Sequence, residues 1–285
     1  MEHKKKNTFK IVMQIAWSEY IRWICNPRMI IVIALVFFLE GYAIEPLMER
    51  AQEMNTDLQS AEPFLAIGNS MLLCYVLPSV FLCLISDFPK INGNTLFFVS
   101  RVGRYAWYGG QLIAGILCAF SYLLMILGSC FFLTFSRIRF SNQWSEVITK
   151  YYKLHADARE DYVSQFITGR LYNNFLPNEA FFYTFTLLLA FLVLLILLKM
   201  AGFLWGNSTA GIVVGGAMIA IGGALNVVDT KLKWVFPMAH ALEWQHRDEV
   251  LNVMEVSIQQ SYFYFLIFSL ILIILEIWRL EKFNF

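Results

Sequence analysis

His240, Glu243 and His246 bring two imidazoles and a carboxylate within seven residues, the side-chain types that ligate metals or pass protons. Their spacing fits neither HExxH nor its inverse, so no metal site is expected. Trp234, Phe236, Pro237 and Trp244 surround them, more apolar than a free loop should be, and residues 229–255 are expected to dip into the outer leaflet as a re-entrant hairpin. No nucleophile elbow, paired carboxylate site or acidic diphosphate-binding motif accompanies them. The GxxxxGK[ST] phosphate loop is absent from the sequence, so the chain is not expected to bind ATP in that mode.

A second chemically distinct stretch is the polar and aromatic island DFPKINGNTLFFVSRVGRYAWYGGQ, residues 87–111. It separates two uncharged runs, 24 residues at 63–86 and 32 at 105–136, each longer than the ~20 residues that cross a hydrocarbon core as helix. Lys90, Arg101 and Arg104 outnumber Asp87, which places this connection in the cytoplasm. Pro89 and Gly93 break the incoming helix, Asn94 or Thr95 caps a new one, and residues 96–102 give it an apolar side. A short helix lying flat at the membrane face is expected.

The elements that position these stretches follow from composition. With 58% hydrophobic and 15% charged residues in 285, the chain reads as an all-α polytopic membrane protein in a single transmembrane domain. A net charge of +1 and a pI of about 7.6, with no basic patch, give no reason to invoke nucleic acid. Cys25, Cys74, Cys83, Cys118 and Cys130 lie in or beside apolar segments, which suggests reduced thiols and neither a disulfide frame nor a thiolate metal site.

Residues 7–25 combine a polar wedge of Lys10, Gln14, Ser18 and Arg22 with Phe9, Val12, Trp17 and Trp23, the pattern of an amphipathic interfacial helix, and no cleavage site follows. Six membrane helices are expected, over 29–44, 63–86, 110–135, 181–199, 209–228 and 256–278, with both termini cytoplasmic. Glu40 falls near the outer end of the first, and Pro78 marks an expected kink in the second. The external segment 136–180 places Trp144, Ile148, Tyr151, His155, Ala158, Tyr162 and Phe166 at helical spacing, which predicts an amphipathic helix on the outer face. Asn207, Ser208 and Thr209 match a glycosylation sequon, but the topology puts them inside. Glu276 and Arg279 are spaced to pair at the inner interface. The fifth helix carries Gly211, Gly215, Gly216, Gly222 and Gly223, small residues that let helices approach closely, within one subunit or across a dimer or path-lining face.

This arrangement resembles the membrane subunit of a bacterial type-2 ABC transporter, the exporter-type permease family. The likeness covers nearly the whole chain and is strongest in NGNTLFFVSRVGRYAWYGGQ, residues 92–111, and FPMAHALEWQHRDE, residues 236–249. It implies that segment 87–109 contains a coupling helix, with Pro89, Asn94, Phe97, Phe98, Arg101 and Arg104 meeting a separate ATPase that binds ATP and Mg. The N-terminal helix would brace it. It further implies a second identical or related permease subunit, a path lined by the first, second and fifth helices with Gly211, Gly215 and Gly222, and an external gate of Trp234, Phe236, His240 and Trp244. The cell membrane of a bacterium is the implied location. A sparsely charged, aromatic path suits an amphipathic or hydrophobic cargo such as a peptide, a lipid-like molecule or a drug better than a small ion. A membrane enzyme using the external histidines, or a sensor or assembly factor reading through 136–180, are the alternatives.

Overall fold

The computed structural model describes residues 2–90, 99–155, 161–248 and 253–282, with side chains from residue 8 onward. About 81% of the described residues are helical. Among the described residues the strands are two dipeptides, β1 (Leu58–Gln59) and β2 (Ile138–Arg139), paired parallel with Leu58 opposite Ile138. The all-α class is therefore what the chain adopts.

The first helix, α1, spans Glu2–Ile24. Asn26 then caps the next helix by accepting from the Arg28 N–H, Pro27 has a fixed φ that suits a first helical turn, and α2 (Pro27–Glu53) runs on through a π-helical stretch at Glu40–Ile44. Next come α3 (Glu62–Asn69) and α4 (Met71–Leu84), then α5 (Arg104–Thr134). The short helices α6 (Glu146–Leu154) and α7 (Gly169–Tyr172) lead to α8 (Pro177–Leu204) and α9 (Ser208–Val228). After α10 (Pro237–Ala241) the chain ends in α11 (Ile258–Lys282).

Among the described residues five helices, α2, α5, α8, α9 and α11, are long and apolar enough to cross a membrane. Even the shortest, α9 with 21 residues, reaches about 31 Å, the thickness of a hydrocarbon core. Large apolar side chains also point away from the protein on these helices, Phe37, Val213, Phe263 and Ile274 among them, as a lipid solvent requires. The chain is a multi-pass membrane protein.

Several boundaries differ from the expected ones. The segment 63–86 is not one straight crossing but the pair α3 and α4, bent by 84°. The break falls at Ser70, with φ −68° and ψ 127°, and not at Pro78, which α4 carries in its interior. The first crossing continues past Ile44 to Glu53, because Glu45 and Pro46 open a further helical stretch in place of a loop. The third begins at Arg104 and not near Gly110, so Arg104 belongs to a spanning helix and not to the connection before it. The fourth is longer than expected at both ends, and the sixth starts two residues later and runs four residues further at its C-terminal end.

α8 is the centre of the packing, set against α9, α11, α5 and α3. Leu187, Leu188, Phe191, Leu192, Leu194, Leu195 and Ile196 are all buried, so the helix is apolar around its whole circumference, as a central helix must be. The N-terminal helix α1 lies along the first half of α5. Ile15 sits over Gly110, where a Cβ would stand 2.6 Å away, and the Tyr20 and Ser121 hydroxyls are 2.8 Å apart. Its opposite side exposes Phe9, Met13, Trp17 and Ile21 in a four-residue repeat, the apolar stripe of the predicted amphipathic pattern.

Segment 136–180 does not form the long amphipathic helix predicted. α6 ends at Leu154, and a 3₁₀ turn at Tyr162–Gln165 follows the undescribed residues 156–160. Its side chains are claimed by α2 instead: Glu53 accepts from the Tyr151 hydroxyl at 2.7 Å, and Arg50 bonds Tyr152 and pairs with Asp161 at 3.2 Å. The buried Glu62 carboxylate fastens the same layer, accepting from the backbone N–H of Gln59 at 3.0 Å and of Ser145 at 2.6 Å.

Candidate functional site

Among the described residues two places gather polar side chains along the bent pair, one at its Leu84 end and one at its Ser70 break. At the Leu84 end, Glu19, Arg22, Trp23 and Asn26 of α1 and its exit face Leu84, Asp87, Phe88 and Lys90 across a small open cleft. Beside the cleft Arg28, in the first turn of α2, pairs with Asp87 at 2.9 Å and donates to Ser86 Oγ at 2.5 Å. Glu19 is held by Arg22 at 3.1 Å. Burial raises the Glu19 carboxyl above its ordinary range, while Arg22 pulls it back.

Of the expected coupling residues, Asn94, Phe97 and Phe98 lie outside the described residues. Pro89 is buried beside the cleft and Arg101 is exposed. Gly103, with φ +93°, turns the chain sharply into α5. Arg104 then donates to the carbonyl oxygens of Glu281 at 2.9 Å and Leu280 at 3.4 Å, so it ties α5 to the end of α11. Glu276 and Arg279 do not pair with each other. Glu276 is fully buried and accepts from the Tyr108 hydroxyl at 2.5 Å, while Arg279 donates to Leu204 O at 3.1 Å.

At Ser70, the 3₁₀ turn Lys231–Val235, α10 and a second 3₁₀ turn, Glu243–His246, form a cap over the break. Pro237 opens α10, and Phe236 and Met238 fit over Gly222, where a Cβ would stand 3.0 and 3.2 Å from theirs. Trp244 donates from Nε1 to Asn69 O at 2.8 Å, and the Arg170 guanidinium lies 4.7 Å over its ring. The cap thus closes directly on the last residue of α3.

The two cap histidines converge on a residue the sequence analysis did not single out. His240 Nδ1 and His246 Nε2 stand 2.8 and 2.7 Å from Ser261 Oγ, in the first turn of α11. Their other nitrogens donate to carbonyls, His240 Nε2 to Trp234 O and His246 Nδ1 to Glu243 O and Leu242 O. Burial pushes both imidazoles down to about 4. The Glu243 carboxylate turns the other way, accepting from Thr184 Oγ1 at 3.0 Å. The three side chains therefore do not face one point, and among the described residues no group of three or more His, Cys, Asp or Glu side chains is placed to hold a metal ion.

Of the expected gate residues, His240 is buried, Trp234 and Trp244 are half-buried, and Phe236 rests on α9. The expected small-residue face of α9 is turned into the chain. A Cβ on Gly211 would stand 2.6 Å from Leu198 O, and one on Gly215 would stand 3.3 Å from Leu195 and Leu82 methyl groups. Gly211, Gly215 and Gly222 thus pack within one subunit, the first of the two roles weighed for them.

No family model, no curated protein and no solved structure matches the chain.

Proposed function

We propose that the chain is the membrane subunit of a type-2 ABC exporter, with both termini in the cytoplasm and six passes, the bent pair α3 and α4 counting as one. The observation that carries this reading is the cleft at the Leu84 end. There α1 faces residues 84–90 across the cleft, and Arg28 in the first turn of α2 fastens Asp87 and Ser86, so the N-terminal helix and the start of α2 together flank a segment that would receive force from outside the membrane.

A separate ATPase, binding ATP and Mg, docks on residues 89–104, and its closure is passed through α1 and α5 to the helices above. The cap over Ser70 serves as the outer gate, since it closes on the break between α3 and α4. A second permease copy completes the path. The cargo is an amphipathic or hydrophobic molecule, because the spanning helices are sparsely charged.

Coexpression with a candidate ABC ATPase tests this. The ATPase is expected to copurify with the wild-type chain and to be weakened by Arg28→Glu, which turns the Asp87 pair into a repulsion. Copurification unaffected by Arg28→Glu would remove the cleft from the docking element.

A further inference from the structure

Glu243, Thr184 and Asn69 form a hydrogen-bond chain between the cap and the break. Glu243 and Asn69 are both fully buried, as is Thr184 between them. Asn69 Nδ2 donates to Leu65 O at 3.2 Å and to Thr184 Oγ1 at 3.0 Å, and Thr184 Oγ1 donates to Glu243 Oε2 at 3.0 Å. Every hydrogen the three side chains own is then spent. Two acceptors remain without a partner, Glu243 Oε1 and Asn69 Oδ1.

An unpartnered oxygen in the interior is costly, and an unpaired carboxylate is costlier. No ion pair to Glu243 exists among the described residues. The groups that face it do not supply a charge either. From α8 come Glu179, which repels a carboxylate, and the Tyr183 hydroxyl; from α11 comes Tyr262. Arg170 is spread over the Trp244 ring and donates to Arg247 O at 3.2 Å. One hydrogen on Oε1 cancels the charge and turns an orphan acceptor into the donor the cluster lacks.

We propose that Glu243 is a proton-binding site, its carboxyl carrying a hydrogen while the cap is closed on the break between α3 and α4 and releasing it to water when the cap lifts. The site stands on the hydrogen-bond inventory and does not depend on the transport reading. Burial raises the Glu243 carboxyl well above its ordinary range, in the same direction. The closed cap is then favoured at low pH and lost as pH rises through that raised value, by up to about tenfold in the closing equilibrium per pH unit.

The full chain in lipid nanodiscs, with its native cysteines replaced and Ala241→Cys introduced at a fully buried cap position, reports opening by thiol labelling. Glu243→Gln, which mimics the neutral acid, corrects at each pH for the reagent's own dependence. Labelling is expected to climb with pH relative to Glu243→Gln. The infrared spectrum at neutral pH is expected to hold a protonated-carboxyl band that Glu243→Gln lacks. Should Glu243→Gln not fold, the wild-type protein serves alone, because band loss and labelling gain must then follow one pH curve. Equal labelling in both proteins, no difference band, or closure that depends on sodium at fixed pH would overturn the proposal, the last by assigning the orphan oxygens to a metal cation.

Discussion

The backbones of Gly202 and Gly211 touch across the turn between α8 and α9: a Cβ on Gly202 would stand 2.5 Å from the Gly211 amide nitrogen. The neighbours on the other side are also backbone atoms, Leu198 O and Lys199 Cα, at 2.6 and 2.7 Å from a Cβ on Gly211. Backbone cannot rotate away, so Gly211→Ala must push the hairpin apart. A loss of about 1–3 kcal/mol is expected, read as a lower thermal midpoint in detergent. Gly128→Ala in α5 is the control. Nothing lies within 4 Å of its added Cβ, and the midpoint should hold or rise.

Glu62 closes the layer above α3 by accepting two backbone N–H groups, from Gln59 and Ser145. Glu62→Ala leaves both donors buried without a partner, at roughly 1–3 kcal/mol each. Hydrogen exchange should speed up at residues 58–60 and 145–148 while α8 and α9 keep their protection. Uniform loss of protection across all helices would mean that this layer is not an independent unit.

The bent pair shows what could be read from residues alone and what could not. A 24-residue uncharged run announces a crossing, and that expectation survives in the apolar make-up of α3 and α4. The break was legible only as Asn69 and Ser70, two polar residues in that run, whereas Pro78 carried the louder signal. Pro78 stays helical because a spanning helix tolerates one missing donor, while Asn69 folds its amide back on Leu65 O and is held by Thr184 and Trp244, two partners distant in sequence. Ser261 was invisible for the same reason, since a serine in QQSYF becomes the meeting point of two histidines only once the cap folds over it. The helix boundaries at Glu53 and Arg104 went unread because hydropathy marks where lipid ends and not where hydrogen bonding ends.

Acid should loosen the cap through its histidines. Both are held near 4 when folded against about 6.5 when free, so between these values the unfolded chain binds more protons and stability falls as pH falls. Glu243 contributes with the opposite sign, so the measurement belongs in Glu243→Gln. From pH 7.5 to 5 the loss is on the order of 1–2 kcal/mol per ring. Replacing His240 and His246 by glutamine should flatten the pH curve of the thermal midpoint, and an unchanged slope would place the titration elsewhere.

Orientation is open to a labelling test in intact cells, again without native cysteines. Gln143→Cys, in the layer above α3, is expected to react with an impermeant thiol reagent, and Lys10→Cys in α1 is expected to be protected until the membrane is permeabilised. The reverse pattern would invert the topology and remove residues 89–104 from the cytoplasm.

Coupling to a separate ATPase is tested most directly by combining Phe97→Ala, Phe98→Ala and Arg101→Glu. The triple variant removes two phenyl rings and reverses one charge in the segment proposed for docking, where each ring is worth about 1.5–3 kcal/mol if it is buried by the partner. The measurement is ATPase binding and cargo-stimulated ATP hydrolysis in proteoliposomes, with insertion checked by the yield and thermal midpoint of the purified chain. Wild-type insertion with loss of both ATPase binding and stimulated hydrolysis is the predicted result. Wild-type insertion with full binding and full stimulation would contradict the assignment of this chain as an ATP-driven permease subunit coupled through residues 89–104.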